Sequence, residues 1–211
     1  MDWKKRLLKK SRLYIIIDKE AAGKTPLTAI ARAIKPGVSI VQYRDKNSRK
    51  REILKNAYWL SKLLRQKRTL FIINDYIDVA KITASDGLHI GQGDLSIETA
   101  RRILGKDKII GVSCHSLNQA KDAQARGADY LGIGPVFSTP IKPGHRPISP
   151  RELKKIRDNI SIPFFAVGGI NRGNCRSVIA AGAKRIAVCR DICQGKSPAD
   201  RIREFQKLIK Q

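Results

Sequence analysis

The sequence predicts one α/β domain, a single (β/α)8 TIM barrel. Short β-rich apolar runs alternate with longer amphipathic stretches almost from end to end, giving eight strand–helix units. Eight units in 211 residues suit a compact barrel at the lower end of that fold's size range. Polar motifs follow the second to the eighth strand, a ring that describes the C-terminal mouth of a barrel. A doubly wound open sheet is the rival. The glycines that end helices, Gly127 and Gly182, serve either architecture, so the strand count and the polar ring decide.

In chain order, a basic segment over residues 1–12 (MDWKKRLLKKSR) precedes the barrel domain at 13–211. Strands are expected at 13–17, 38–43, 70–73, 87–90, 109–112, 130–133, 163–167 and 186–188, apolar runs in which Ile, Val, Leu and aromatic residues dominate. Helices are expected between them at 26–34, 49–66, 77–84, 97–104, 117–126, 150–158, 171–181 and 198–209. Ser116 is placed to cap the helix at 117. The longest irregular stretch, 134–149 (GPVFSTPIKPGHRPIS), has the glycines, prolines and basic residues of an active-site lid.

Composition excludes several classes. The chain is 42% hydrophobic before its 16 glycines are added, a globular share, and a domain of this size buries on the order of 70% of its unfolded surface. It needs no disulfide or metal staple. No apolar run approaches the ~20 residues of a membrane span, and the first residues lack the apolar core of a leader, so a cytoplasmic protein is expected. Cys114, Cys175, Cys189 and Cys193 lack any full zinc pattern and read as reduced, mostly buried thiols.

The charge is the abnormal quantity: 43 Lys and Arg against 18 Asp and Glu leave +25. An anionic partner is implied. The basic residues are spread along the chain, densest at 4–12, 49–51 and 62–68, and no nucleic-acid-binding signature accompanies them, so most are read as solvated surface.

The second strand ends in Gln42-Tyr43-Arg44-Asp45-Lys46, and strand alternation puts Gln42, Arg44 and Lys46 on one face. An amide and two cations there suit a diphosphate, because arginine offers a bidentate fork and lysine a compact charge. Asn74-Asp75 follows the third strand and Gly91-Gln92-Gly93-Asp94 the fourth. Asp75 and Asp94, at neighbouring strand ends, can share a magnesium ion whose shell is completed by water and phosphate oxygens; nothing obvious in the sequence raises either pKa. Ser113-Cys114-His115-Ser116 lacks a nucleophile elbow, so Ser113 is read as a hydroxyl contact. His89 is read as a structural histidine and His145 as exposed. Gly168-Gly169 after the seventh strand and Cys189-Arg190 after the eighth occupy the positions at which barrels bind phosphate through backbone N–H groups.

Taken in order, Gln42-x-Arg44-x-Lys46, Asn74-Asp75, GLHIGQGD over 87–94, Gly111-Val112-Ser113, Gly134-Pro135-Val136-Phe137-x-Thr139-Pro140-x-Lys142 and Gly168-Gly169-Ile170 resemble the thiamine phosphate synthase family from about Leu13 to the last helix. The resemblance implies a barrel that joins 4-amino-5-hydroxymethyl-2-methylpyrimidine diphosphate to 4-methyl-5-(2-hydroxyethyl)thiazole phosphate and releases diphosphate with magnesium. It implies that Gln42 and Ser113 contact the pyrimidine, that Arg44, Lys46, Asn74 and Lys142 hold its diphosphate, and that Asp75 and Asp94 hold magnesium. Arg44, Lys46, Ser113 and Lys142 are then the catalytic set. Thr139, Gly168, Gly169 and the turn at Cys189 and Arg190 would address the thiazole phosphate.

The implied partners are these two small molecules, with no specific nucleic acid and no membrane span, and with homo-oligomerisation left open. Two departures fall on the thiazole side: Ile141 replaces the second threonine of the family's TxTK loop, and Arg190 stands where a small residue such as serine is common. The related thiazole tautomerases carry a histidine where this chain has Pro135. A non-catalytic barrel binding nucleic acid or a membrane surface is the reading from another class, motivated by +25 and by WKKRLLKK; the two retained acidic positions weigh against it.

Overall fold

A computed structural model describes residues 3–34, 38–139, 144 and 146–210. Its strands are β1 (Leu13–Asp18), β2 (Ile40–Arg44), β3 (Leu70–Asn74), β4 (Gly87–Ile90), β5 (Ile109–Cys114), β6 (Tyr130–Ile133), β7 (Phe164–Val167) and β8 (Ile186–Val188). All pair in parallel, in sequence order, and β8 closes on β1 through Leu13↔Ile186 and Ile15↔Val188. The expected single (β/α)8 barrel is the fold.

The helices are α1 (Trp3–Lys10), α2 (Lys19–Ala22), α3 (Leu27–Ala33), α4 (Lys50–Gln66), α5 (Ile77–Ile82), α6 (Ile97–Leu104), α7 (Leu117–Ala125), α8 (Pro150–Asn159), α9 (Cys175–Ala180), α10 (Arg190–Cys193) and α11 (Pro198–Leu208). Serine side chains start several of them. Ser96, Ser116, Ser149 and Ser197 each accept from a backbone N–H three residues on, and Ser149 forms a reciprocal capping box with Glu152. The helix expected at 171–181 begins later, at Cys175, because the Asn171 side chain accepts from Gly173 N at 2.8 Å and Asn174 N at 3.1 Å and holds those residues in a turn.

Alternation along the strands divides the core in two. Ile15, Ile17, Val41, Ile73, Ile110 and Leu131 face the helices, while Tyr14, Ile40, Ile72, Ile109, Tyr130 and Phe165 fill the barrel interior. The interior rings meet edge to face, Tyr14 on Phe165 at 5.1 Å and Tyr130 on Phe165 at 5.8 Å between centroids.

The basic N-terminal segment departs from the solvated face expected of it. Residues 3–10 form α1, and Leu8, only 2% exposed, joins the interior cluster at the barrel floor. Lys4 lies 3.3 Å from Asp86 and Lys5 3.2 Å from Asp129. Those carboxylates also accept from Phe71 N and Ile110 N, so α1 is tied to the groups that anchor β3 and β5. Leu8, with half-buried Leu7 beside it, suffices because the strand N-termini leave apolar side chains open to water unless something covers them. Among the described residues, no helix is long and apolar enough to cross a membrane.

Candidate active site

A cavity of about 550 Å³ opens among the C-terminal strand ends and carries contributions from every strand. On one side, β1 and β2 end side by side with Asp18 opposite Arg44. Asp18, 1% exposed, accepts from the Arg44 guanidinium through one oxygen and from Ala21 N, at 2.8 Å, through the other. The guanidinium is thus pinned at the mouth by a carboxylate that also caps α2. Tyr43 and Asp45 project from the opposite face of the strand, Tyr43 donating to Asp45 at 2.8 Å, so the alternation expected of Gln42 and Arg44 is realised.

Lys46, beyond the end of β2, places Nζ 3.0 Å from Asp75. Asp75 occupies the left-handed region at φ 60°, and its N–H donates to His89 O at 2.9 Å, which fixes the turn leaving β3. Asp94 receives Gly91 N–H at 2.6 Å, while Gln92 donates to Ser113 O at 2.7 Å and ties the same turn to β5. Burial raises the Asp75 carboxyl above its ordinary range, Lys46 opposes that shift, and neighbouring Asp94 reinforces it. This corrects the sequence reading, in which nothing raised either carboxyl.

The donor set of Asp75 and Asp94 fits magnesium. Two close carboxylates are stabilised by a hard dication, which takes oxygen ligands and completes its shell with water and phosphate. Among the described residues no group of three or more His, Cys, Asp or Glu gathers as a protein-only metal site.

Across the cavity, Gly168 and Gly169 line the wall at φ 99° and 66°. A Cβ at Gly168 would stand 2.5 Å from the Pro135 Cβ, and one at Gly169 2.6 Å from the Phe137 Cβ, so this pair is required by close packing on the loop after β6 as well as by its backbone conformation. Thr139, Cys189 and Arg190 also line the cavity. The Cys189 thiol is hydrogen-bonded to the free thiol of Cys193, which with burial pushes it up, and Cys193 Sγ donates to Ile16 O at 3.4 Å. Lys142, Ile141 and His145 lie outside the described residues.

Several residues at the mouth escaped the sequence reading. Asp191 accepts from Arg172 N at 3.0 Å and from the guanidinium of Arg201, and Arg201 reaches the cavity from α11. Asp18 was legible, since it is the polar end of an otherwise apolar first strand. His89 is the satisfied structural histidine expected of it, buried on the cavity wall with Nδ1 3.0 Å from Tyr130 Oη and Nε2 3.0 Å from Ser113 Oγ. His115 instead bonds the Gly134 carbonyl. Ser113 therefore shares a histidine with a tyrosine rather than with a carboxylate, unlike the Ser-His-Asp arrangement of hydrolases.

Residues 13–192 match the family model described as thiamine monophosphate synthase. The chain belongs to this family. It is 43% identical over 187 residues to the thiamine-phosphate synthase of Shouchella clausii, covering 88% of this chain and 90% of that one. It is 38% identical over 209 residues to the Methanosarcina mazei thiamine-phosphate synthase, covering 99% and 87%.

The solved structure of thiamine phosphate pyrophosphorylase from Pyrococcus furiosus superimposes with a TM-score of 0.87 at 35% identity, covering 97% of this chain and 98% of that one. A 3-hexulose-6-phosphate synthase from Salmonella typhimurium, 13% identical with a TM-score of 0.70, shares the fold. As a member of the thiamine monophosphate synthase family the chain is a transferase.

Proposed function

We propose that the enzyme joins 4-amino-5-hydroxymethyl-2-methylpyrimidine diphosphate to 4-methyl-5-(2-hydroxyethyl)thiazole phosphate, giving thiamine phosphate and diphosphate. The observation that carries this reading is the two-sided cavity of about 550 Å³: Arg44, held by Asp18, and Asn74 on one wall face a glycine turn with Arg190 and Arg201 on the other, which gives one space two separate places for anions, the Lys46–Asp75 pair standing outside the residues that line it.

Arg44, Lys46 and Asn74 bind the diphosphate, with Lys142 joining them on the strength of the resemblance alone. Gln42 and Ser113 hold the pyrimidine. Thr139, Gly168, Gly169 and the turn at Cys189 and Arg190 hold the thiazole phosphate. Asp75 and Asp94 would hold magnesium, which supplies charge neutralisation of a phosphate leaving group. Diphosphate departs first with the electron pair of the breaking carbon–oxygen bond, and the lone pair of the thiazole nitrogen then bonds to the pyrimidine methylene cation. Arg44, fixed by Asp18, meets charge that grows on the leaving group without having to reorganise.

Incubating the purified protein with both substrates and magnesium tests the proposal. Stoichiometric thiamine phosphate and diphosphate are expected; the absence of both, in a folded sample, defeats it.

A further inference from the structure

The cavity at the mouth has a counterpart at the floor. A cleft of about 410 Å³ opens beside the point where β8 closes on β1, at the N-terminal ends of those strands. Arg12 and Arg185 stand immediately before the two strands, Lys184 precedes Arg185, and Arg157 comes from the last turn of α8. Ile179, Ile186 and Ile209 supply apolar wall, and no carboxylate lines the cleft among the described residues.

The guanidinium groups are only partly used by the protein. Arg12 Nη1 donates to Ile209 O at 3.2 Å and Arg185 Nη2 to Lys9 O at 2.9 Å, at the ends of α11 and α1. Helix C-termini attract cations, which accounts for these two bonds and no more. The buried Nε of Arg185 meets no acceptor among the described residues. Burial, and next the nearby charge of Arg12, lower Arg185 below its ordinary range, so these two cations strain against their surroundings and each other. Arg157 holds Asp158 through Nε and Nη2, both at 2.8 Å. Gly182, at φ 101°, leaves the space beside Arg157 Nη1 clear, since a Cβ there would stand 2.6 Å from it. An anion in the cleft supplies acceptors for the N–H groups that the carbonyls leave over and offsets the repulsion between Arg12 and Arg185.

We propose that this cleft is a binding site for an organic phosphate, with the phosphate oxygens held by Arg12, Lys184 and Arg185 and an apolar or aromatic body against Ile179 and Ile209. The volume lies in the range of small-molecule sites, and the apolar wall distinguishes the cleft from a bare basic patch, which takes any polyanion. The site stands apart from the chemistry at the mouth and does not depend on it.

Isothermal titration with adenosine diphosphate tests the proposal, at about 150 mM salt so that distant charges are screened. Wild type should bind the nucleotide at a site that survives Arg44→Ala, a change at the mouth. Arg12→Gln with Lys184→Gln, both exposed, should weaken that site at least about tenfold, the size of a lost charge-assisted hydrogen bond. Lys55→Gln with Lys62→Gln removes the same charge from exposed positions on α4 and should change the affinity by less than about twofold. Equal weakening by the two pairs, or no binding that survives Arg44→Ala, overturns the proposal.

Circular dichroism checks the fold of each variant. Lys184→Gln alone, which breaks no bond among the described residues, gives the same reading if the pair does not fold: a weakening of at least about threefold is expected, and unchanged affinity overturns the proposal. Inorganic diphosphate should bind the same site more weakly than adenosine diphosphate, because it leaves Ile179 and Ile209 uncovered. Equal affinity of the two overturns the organic part of the proposal.

Discussion

The two sides of the mouth are built differently. On the β1–β4 side, functional charge sits on strand ends and is paired: Arg44 with Asp18, Lys46 with Asp75, and Asp75 against Asp94. On the β6–β8 side, the wall is a glycine turn shaped by packing, and its charge comes from helices and their flanking turns: Arg190 at the start of α10, Arg201 in α11 and Arg172 before α9, the last two held by Asp191. Strand ends are fixed by the barrel's hydrogen bonds, so the first side is a preorganised place for charge to develop. The second side, with arginines held by one shared carboxylate, is suited to gripping a phosphate that does not itself react. Under the proposed reaction, the first side would set the rate and the second the affinity.

The largest expected effect lies on the first side. Asp75→Asn or Asp94→Asn should lower kcat by about two orders of magnitude or more while leaving the circular dichroism spectrum unchanged, and EDTA should abolish wild-type turnover. Steady-state kinetics with and without magnesium check this. Full activity of both variants in metal-free buffer would remove the metal assignment.

On the second side, Arg190→Ser should raise the KM for thiazole phosphate by roughly 10- to 100-fold, the range of a charge-assisted hydrogen bond, and move kcat less. If Arg190 compensates for the hydroxyl missing at Ile141, then Ile141→Thr should recover part of the loss, because both changes act on one bound phosphate. An Arg190→Ser enzyme with unchanged or lower KM would mark Arg190 as occluding rather than binding, and the division between the sides would need redrawing.

The same contrast explains what could be read from the sequence. Period-2 alternation exposed Gln42 and Arg44 because a strand's geometry maps spacing onto a face, and the second to the eighth strand ends announced their polar residues. Asp18 belonged to that pattern as well. Arg201 could not be found in this way: nothing local says that Asp191 draws it to the cavity from ten residues further along the chain. The fold was legible because eight apolar runs repeat, whereas α1 was not, since adjacent Leu7 and Leu8 among lysines leave no periodic stripe. His89 read as structural and is held as such, though its partners Tyr130 and Ser113 come from other strands and could not be named from its own.

A smaller effect concerns stability rather than turnover. The folded Asp75 carboxyl is raised, so the native state holds its proton to higher pH than the unfolded chain does, and stability declines as pH rises from the ordinary carboxylate range through the raised value. Asp75→Asn removes that decline. Its Tm should therefore equal or exceed wild type at neutral pH, with the difference closing as pH falls through the raised pKa. Thermal melts across that range check the sign. A variant less stable than wild type at neutral pH, with the gap narrowing in acid, would mean that the bond to Lys46 outweighs burial and that this side of the mouth is not strained for function.

The smallest expected effect tests whether the division between the sides extends to the rest of the charge. Lys4, Lys5, Lys9 and Lys10 lie on α1, which closes the barrel floor at the opposite end of the strands from the mouth. Lys4 and Lys5 pair with Asp86 and Asp129 in partly covered positions, but Asp86 still accepts from Phe71 N and Asp129 keeps Arg101 and Ile110 N, so neither carboxylate is left without a partner when the lysines go. Replacing all four lysines by glutamine should lower Tm by no more than a few degrees, since 1 kcal/mol shifts a domain of this size by about 2–4 °C. Leu8, which supplies the apolar contact, stays in place. Neither KM should change beyond about twofold at 150 mM salt, where charges further apart than about 8 Å are largely screened. At low salt both substrates, being anions, should bind slightly less tightly, because removing four charges weakens the long-range field of a +25 chain without touching a contact. A loss of turnover that persists at both salt concentrations would show that the floor helix reaches the chemistry through the barrel core, and assigning rate to the β1–β4 strand ends alone would then be wrong.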